Sequence, residues 1–127
     1  MKLVDTDVLI WNFRGDRLAA QLLDAAPGVG LSSVTYMELV QGMHNKRELQ
    51  RLRQALHYWQ ARVLPVTEGV SARAVFLVEE FALSHSMQLA DALIAATAID
   101  RGEPMVTAND RHYRHIPDLE IELFRPE

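Results

Sequence analysis

The sequence predicts an α/β domain with a mainly parallel central sheet and helices on both faces, one unit over residues 1–127. Two observations carry that reading. Short apolar runs of strand length alternate with longer stretches of helical periodicity, the order produced when each strand is followed by a helical crossover. With 49% hydrophobic residues in 127, and no internal repeat, low-complexity tract or linker, the chain has material for one real core.

The elements follow in order. KLVD, Lys2 to Asp5, is a short apolar run ending in acid, and Asp5 or Asp7 is placed to cap a helix opening with VLIW. Leu18, Leu22 and Leu23 mark a second helix. VGLSSV, Val29 to Val34, is the next strand, and the helix after it is expected to hold Glu38 in its first turn, where Thr35 and Glu38 form a T-x-x-E capping box. RVLPV, Arg62 to Val66, is a third strand. Between Ser71 and Phe81, the residues Ala74, Leu77, Val78 and Phe81 recur at spacings of three and four, marking an amphipathic helix. Leu89 to Arg101 is a helix apolar on nearly every face, closed by Gly102 and Pro104. PMVTAND (Pro104 to Asp110) and EIELF (Glu120 to Phe124) complete the strands.

Composition removes several classes of function. Without cysteine there is no disulfide framework, thiolate zinc site or thiol nucleophile. Two acids among the first seven residues spoil a signal peptide, and no apolar run reaches membrane-spanning length, so a cytoplasmic protein is expected. A net charge of −4 argues against broad electrostatic wrapping of nucleic acid and leaves local basic surfaces as the route to such a partner.

The acids hold the chemistry. In a parallel sheet, ligands bind outside the carboxyl ends of the strands. Asp5 ends the first strand, and Asn109 and Asp110 follow MVT. Glu38 heads a helix leaving that edge, and Asp91 heads the helix running into MVT. Each has a local reading as a cap or as a charge favoured by a helix N-terminus. Their convergence is not explained that way. Carboxylates gathered on one edge repel one another, and a hard divalent cation with oxygen ligands relieves the repulsion.

VDTDVLI (Val4–Ile10), SSVTYMELVQG (Ser32–Gly42), LADALIAATAI (Leu89–Ile99) and MVTANDRHYRHIPDLEI (Met105–Ile121) resemble, in order and spacing, the four signature blocks of PIN-domain ribonucleases. The likeness spans nearly the whole chain and is closest to the small VapC-type toxins of toxin-antitoxin modules. It implies a three-layer PIN fold and a metal-dependent endoribonuclease. By position, Asp5, Glu38 and Asp91 become the acidic metal site, Asn109 the polar group after the fourth strand, and Thr6 a supporting or substrate-positioning hydroxyl. It also implies Mg²⁺ or Mn²⁺ as cofactor, a homodimer, and a VapB-type antitoxin whose tail covers the acids. One departure stands out. Where many relatives read T-x-N-x-x-D-F, this chain reads TANDRHY, with His112 in place of the last acid and Asp110 beside Asn109, a candidate substitute ligand.

RNA contact has two candidate surfaces. His44 to Arg62 carries Lys46, Arg47, Arg51, Arg53 and Arg62 against Glu48 alone, with Tyr58 and Trp59 available either for base stacking or for the core. Arg111 and Arg114, with His112 and His115, form a second basic cluster beside Asn109. The H-x-x-H pair has no third zinc-type ligand nearby in sequence. Two other classes fit less well. A phospho-accepting receiver domain needs an acid after the third strand and a lysine after the fifth, whereas RVLPVT has no Asp and the only lysines are Lys2 and Lys46. A D-x-D phosphatase lacks its downstream lysine for the same reason. The remaining alternative is a PIN fold that binds RNA or protein without cutting.

Overall fold

The computed structural model describes all residues, Met1–Glu127. Its frame is a five-stranded, all-parallel sheet in the order β3-β2-β1-β4-β5. The strands are β1 (Lys2–Val4), β2 (Val29–Ser32), β3 (Arg62–Leu64), β4 (Met105–Thr107) and β5 (Ile121–Leu123). Helices α1 (Thr6–Phe13) and α2 (Arg17–Ala25) connect β1 to β2, and α3 (Ser33–Gln41) and α4 (Lys46–Tyr58) connect β2 to β3. Helices α5 (Glu68–His85) and α6 (Leu89–Arg101) lead into β4, and a single 3-10 turn, Asp110–His112, precedes β5. The expected α/β class with a parallel sheet and helices on both faces is what the chain forms.

Period-two alternation along the strands divides the core in two. Leu3 and Met105 face one cluster with Leu64, Val70, Leu77, Ile94 and Tyr113. Val4 and Val106 face the other with Val8, Leu9, Leu23, Leu31, Leu52, Leu56 and Phe124. These strands are buried on both faces, and β2 is buried at every position. Helix α6 buries Ala92 and the run Ile94–Ala98, which explains its all-round apolar sequence. Helices α5 and α6 pack closely, and the start of α5 lies against the end of α6: a Cβ built on Gly69 would stand 3.3 Å from Asp100 Oδ1. A larger residue there would have to push that carboxylate aside.

The junction of β2 with α3 differs from expectation. The second strand stops at Ser32, whose hydroxyl caps α3 by accepting from Val34 N, so Val34 belongs to the first helical turn. The T-x-x-E capping box is therefore not used, and Glu38 falls in the second turn of α3 rather than the first. Serine is as good a cap as threonine, and placing the cap at Ser32, ahead of Thr35, frees Thr35 for a tertiary contact with Thr6.

The sheet order creates one topological switch point. From β1 the chain moves outward through β2 to β3, then crosses back to place β4 on the other side of β1. The crevice between the carboxyl ends of β1 and β4 is where such sheets bind ligands. Asp5 N bonds Val106 O across that pair at 2.9 Å, which fixes the height of Asp5 relative to β4.

Candidate active site

Asp5 leaves β1 as the N-cap of α1, its Oδ1 accepting from Thr6 N at 2.8 Å. That local role does not exhaust the side chain. Its Oδ2 accepts from Thr107 Oγ1 at 2.8 Å, and its Oδ1 also lies 3.3 Å from the Tyr113 hydroxyl. Asp91 sits in the first turn of α6 but caps nothing, and the N-cap residue Gln88 makes no side-chain cap either. Instead Asp91 Oδ1 accepts from the Tyr113 hydroxyl at 3.1 Å, and Oδ2 faces His112 Nδ1 at 3.3 Å. A single phenolic oxygen thus joins two carboxylates that arrive from opposite parts of the chain.

The electrostatics are those of a site short of positive charge. Asp5 is 6% exposed, and burial first, then the neighbouring Asp7 and more weakly Asp91, pushes its pKa up to about 7, against the opposing bonds from Thr107 and Thr6. Burial first, then the charges of Asp5 and Asp91, raises the Tyr113 phenol, which stays protonated and serves as a donor. Asp7 is also raised by burial although Ala108 N donates to its Oδ2 at 3.0 Å. Its Oδ1 is buried without any hydrogen-bond partner. A buried, unpaired carboxylate oxygen beside another buried carboxylate is costly, and a nearby positive charge lowers that cost.

The other predicted residues divide into those drawn in and those not. Thr6 donates to Glu38 Oε1 at 2.8 Å and lies 3.0 Å from Thr35 Oγ1, so Glu38 joins the edge through the threonine that follows Asp5. Asn109 follows β4, its N bonding Thr107 Oγ1 at 3.0 Å and its amide lying 3.3 Å from His112 Nδ1. Asp110 is turned elsewhere: Arg125 pairs with its Oδ1 at 3.3 Å while also donating to Ala108 O at 2.6 Å. Its contacts give no support to its role as substitute for the acid missing at His112. Arg111 and Arg114 are exposed beside the 3-10 turn.

The H-x-x-H pair is split. His112 faces Asp91, whereas His115 stacks on His85 with ring centroids 4.1 Å apart, and both of its ring nitrogens are buried without partners. Burial, with His85 and His112 as like charges, holds its pKa below the ordinary histidine value. On α4, Arg47, Arg51 and Arg53 are exposed, and Tyr58 is 72% exposed. Trp59 packs on the second core cluster and donates Nε1 to Asp24 Oδ1 at 2.9 Å, so of the two aromatics only Tyr58 is free to stack.

Three residues of the site were not singled out by sequence for the roles they play. Thr107 and Tyr113 bind Asp5 directly, and Asp7 ties α1 to the backbone after β4. Tyr113 had a signal in the TANDRHY stretch: a residue ending in a hydroxyl, one step beyond His112, within reach of the same edge.

Oxygen-only donors and two partly uncompensated acids suit a hard divalent cation. No three carboxylate or imidazole groups converge to hold one as they stand. The space between Asp5 and Asp91 holds the Tyr113 hydroxyl.

Comparison with known proteins agrees with this geometry. The model of the PIN domain matches residues 2–119. Ribonuclease VapC10 of Mycobacterium tuberculosis is 37% identical over 119 residues, covering 89% of this chain and 86% of that protein. Ribonuclease VapC19 of the same species is 32% identical over 126 residues, covering 94% and 98%. Among solved structures, a toxin-antitoxin complex from Klebsiella pneumoniae superposes with a TM-score of 0.79 at 32% identity, over 94% of this chain and 95% of that one. With the four motif blocks, the switch-point acids and these relatives in agreement, the chain belongs to the PIN-domain family, among its VapC-type members.

Proposed function

We propose that this protein is an endoribonuclease, the toxin of a VapBC-type module, which hydrolyses RNA phosphodiester bonds at the carboxyl edge of β1 and β4. The observation that carries the reading is the meeting of Asp5 and Asp91 at one hydroxyl in the switch-point crevice. Relatives named as ribonucleases and a neighbour solved as a toxin-antitoxin complex support it.

Asp5 and Asp91 would hold a divalent cation, Mg²⁺ or Mn²⁺, with Glu38 and Asn109 reaching it directly or through water. Such a cation, when bound, lowers the pKa of a bound water and offsets charge on the phosphate oxygens. The chain's own residues supply the rest. Thr107 and the backbone of Thr6 fix the Asp5 carboxylate in position. Thr6 holds Glu38 at its edge, where that carboxylate can orient an attacking water. Arg111 and Arg114 stand exposed where an RNA phosphate would approach. A VapB-type antitoxin is the expected regulator, a homodimer the expected assembly, and no helix is long and apolar enough to cross a membrane.

The test is removal of metal. Cleavage of RNA by the full chain should stop on chelation and return with added Mg²⁺ or Mn²⁺. Undiminished cleavage by rigorously metal-free protein rules out the metal site. Metal-dependent RNA binding without any cleavage would select the non-catalytic PIN module instead.

A further inference from the structure

We propose that the Tyr113 hydroxyl is a built-in placeholder for the cation: it bridges Asp5 and Asp91 when no metal is bound and must give up those bonds for metal to enter. The inference rests on the metal-binding reading above. Tyr113 is a positioning residue in this account, acting through the two carboxylates and not on substrate.

Three observations support the role. The hydroxyl lies 3.3 Å from Asp5 Oδ1 and 3.1 Å from Asp91 Oδ1, so it addresses one oxygen of each carboxylate. The tyrosine is 1% exposed and packed in the first core cluster, so the buried ring holds the hydroxyl at the two carboxylates, and the bonds are given up by turning the O–H and shifting the carboxylates. One phenolic proton cannot fully satisfy two carboxylates, and both contacts are longer than is usual for a hydroxyl donating to an ionised acid. The bridge is a partial substitute for a positive charge.

The energetic consequence has a definite sign. A bond that stabilises the metal-free state and is lost on metal binding weakens affinity. Hydrogen bonds to charged groups are the stronger kind, and removing the donor leaves the Asp5 and Asp91 carboxyl groups facing each other without the hydroxyl they share. The placeholder therefore steadies the empty site and sets a higher cation concentration for filling it. Phenylalanine at this position would make the empty site less stable and the filled one easier to reach.

Tyr113→Phe isolates the effect because it keeps the buried ring and removes only the oxygen. Mn²⁺ titration by calorimetry on the full chain should show at least about tenfold tighter binding in Y113F, equivalent to about 1.4 kcal/mol. Thermal melts should separate the role from packing: Y113F should melt lower than the parent without metal and converge toward it at saturating Mn²⁺. Binding with unchanged affinity, with both melts lowered equally, makes the hydroxyl structural and overturns the proposal alone. Weaker Mn²⁺ binding in Y113F makes the phenol a ligand and likewise overturns it. Failure of both proteins to bind Mn²⁺ overturns the placeholder and the metal site together.

Discussion

Two kinds of helix start coexist in this molecule. At α2, α4 and α5 the caps are Asp16, Asn45 and Thr67, each accepting from a backbone N–H three residues ahead at 2.9 to 3.1 Å. Their capping bonds are local. At α1 and α6, by contrast, the acids reach far along the chain: Asp5 to Thr107 and Tyr113, and Asp91 to Tyr113 and His112. Helix α6 starts without any side-chain cap while holding a carboxylate in its first turn. A polar residue that spends its hydrogen bonds nearby stabilises a helix, whereas one that leaves local donors unserved in order to meet another acid serves a site. Separation alone does not divide them, since Asp16 also accepts from Glu127 N at 2.8 Å; what sets Asp5 and Asp91 apart is a side-chain hydroxyl shared with a second acid.

The strongest way to break this contrast is a pair of substitutions. Asp91→Asn should cut RNA cleavage by more than about a hundredfold, the upper range for losing even an outer partner of a metal site. Metal-free stability should stay within about 1 kcal/mol, because losing a favourable helix-start charge is offset by relief of repulsion. Thr67→Ala should do the reverse, costing about 1 kcal/mol of stability with cleavage unaltered. Activity assays and melts on both variants would expose a failed division of roles if T67A lost activity or D91N unfolded.

The pH dependence of stability sharpens the comparison. With Asp5 at about 7 in the fold against 3.8 ordinarily, the folded state holds a proton that the unfolded chain has released across that window. Metal-free stability should therefore fall as pH rises from about 4 to 7, by up to the order of 4 kcal/mol. Asp7, also raised, acts in the same sense, while His115, lowered, acts in the opposite one below its ordinary value. Subtracting the Asp5→Asn profile isolates the Asp5 contribution. Denaturation midpoints at several pH values that fall in parallel for parent and D5N would contradict the burial of an ionisable Asp5.

A smaller effect is expected on α4. Neutralising Arg47, Arg51 and Arg53 together should lower the salt slope of RNA binding by roughly one unit for each phosphate left without its cation, with the rate at saturating RNA nearly constant. Binding measured across a salt series decides this. An unchanged slope with weakened antitoxin binding would assign the surface to regulation.

Much of this could be read from residues alone, for reasons the structure makes plain. Strand–helix alternation and the all-apolar α6 announced a covered parallel sheet, and its carboxyl edge then collected Asp5, Glu38, Asp91 and Asn109. What escaped depended on register and long-range approach. Whether Ser32 or Thr35 caps α3 is a choice between two good caps, and the structure takes the earlier one, moving Glu38 one turn deeper. The sorting of Tyr58 to solvent and Trp59 to the core turns on adjacent positions of a helix end, which periodicity resolves poorly. Asp7 reads as a cap in sequence because nothing in the D-T-D triplet reveals that Ala108 lies beside it. Asp110 reads as a candidate ligand, and its pairing with Arg125, fifteen residues on, lies outside any local window.

The central pairing of β1 with β4 also governs when the protein can act during its synthesis. Tyr113 is 108 positions beyond Asp5, and Val106, which accepts from Asp5 N, lies in a strand that emerges late. Translation proceeds at about 5–20 residues per second, so for several seconds the ribosome holds a chain with its first carboxylate exposed and its partners unmade. Until the last strands leave the ribosome and dock, the crevice does not exist. A nuclease built in this order is silent toward RNA until β4 and the segment carrying Tyr113 have left the ribosome and docked beside β1.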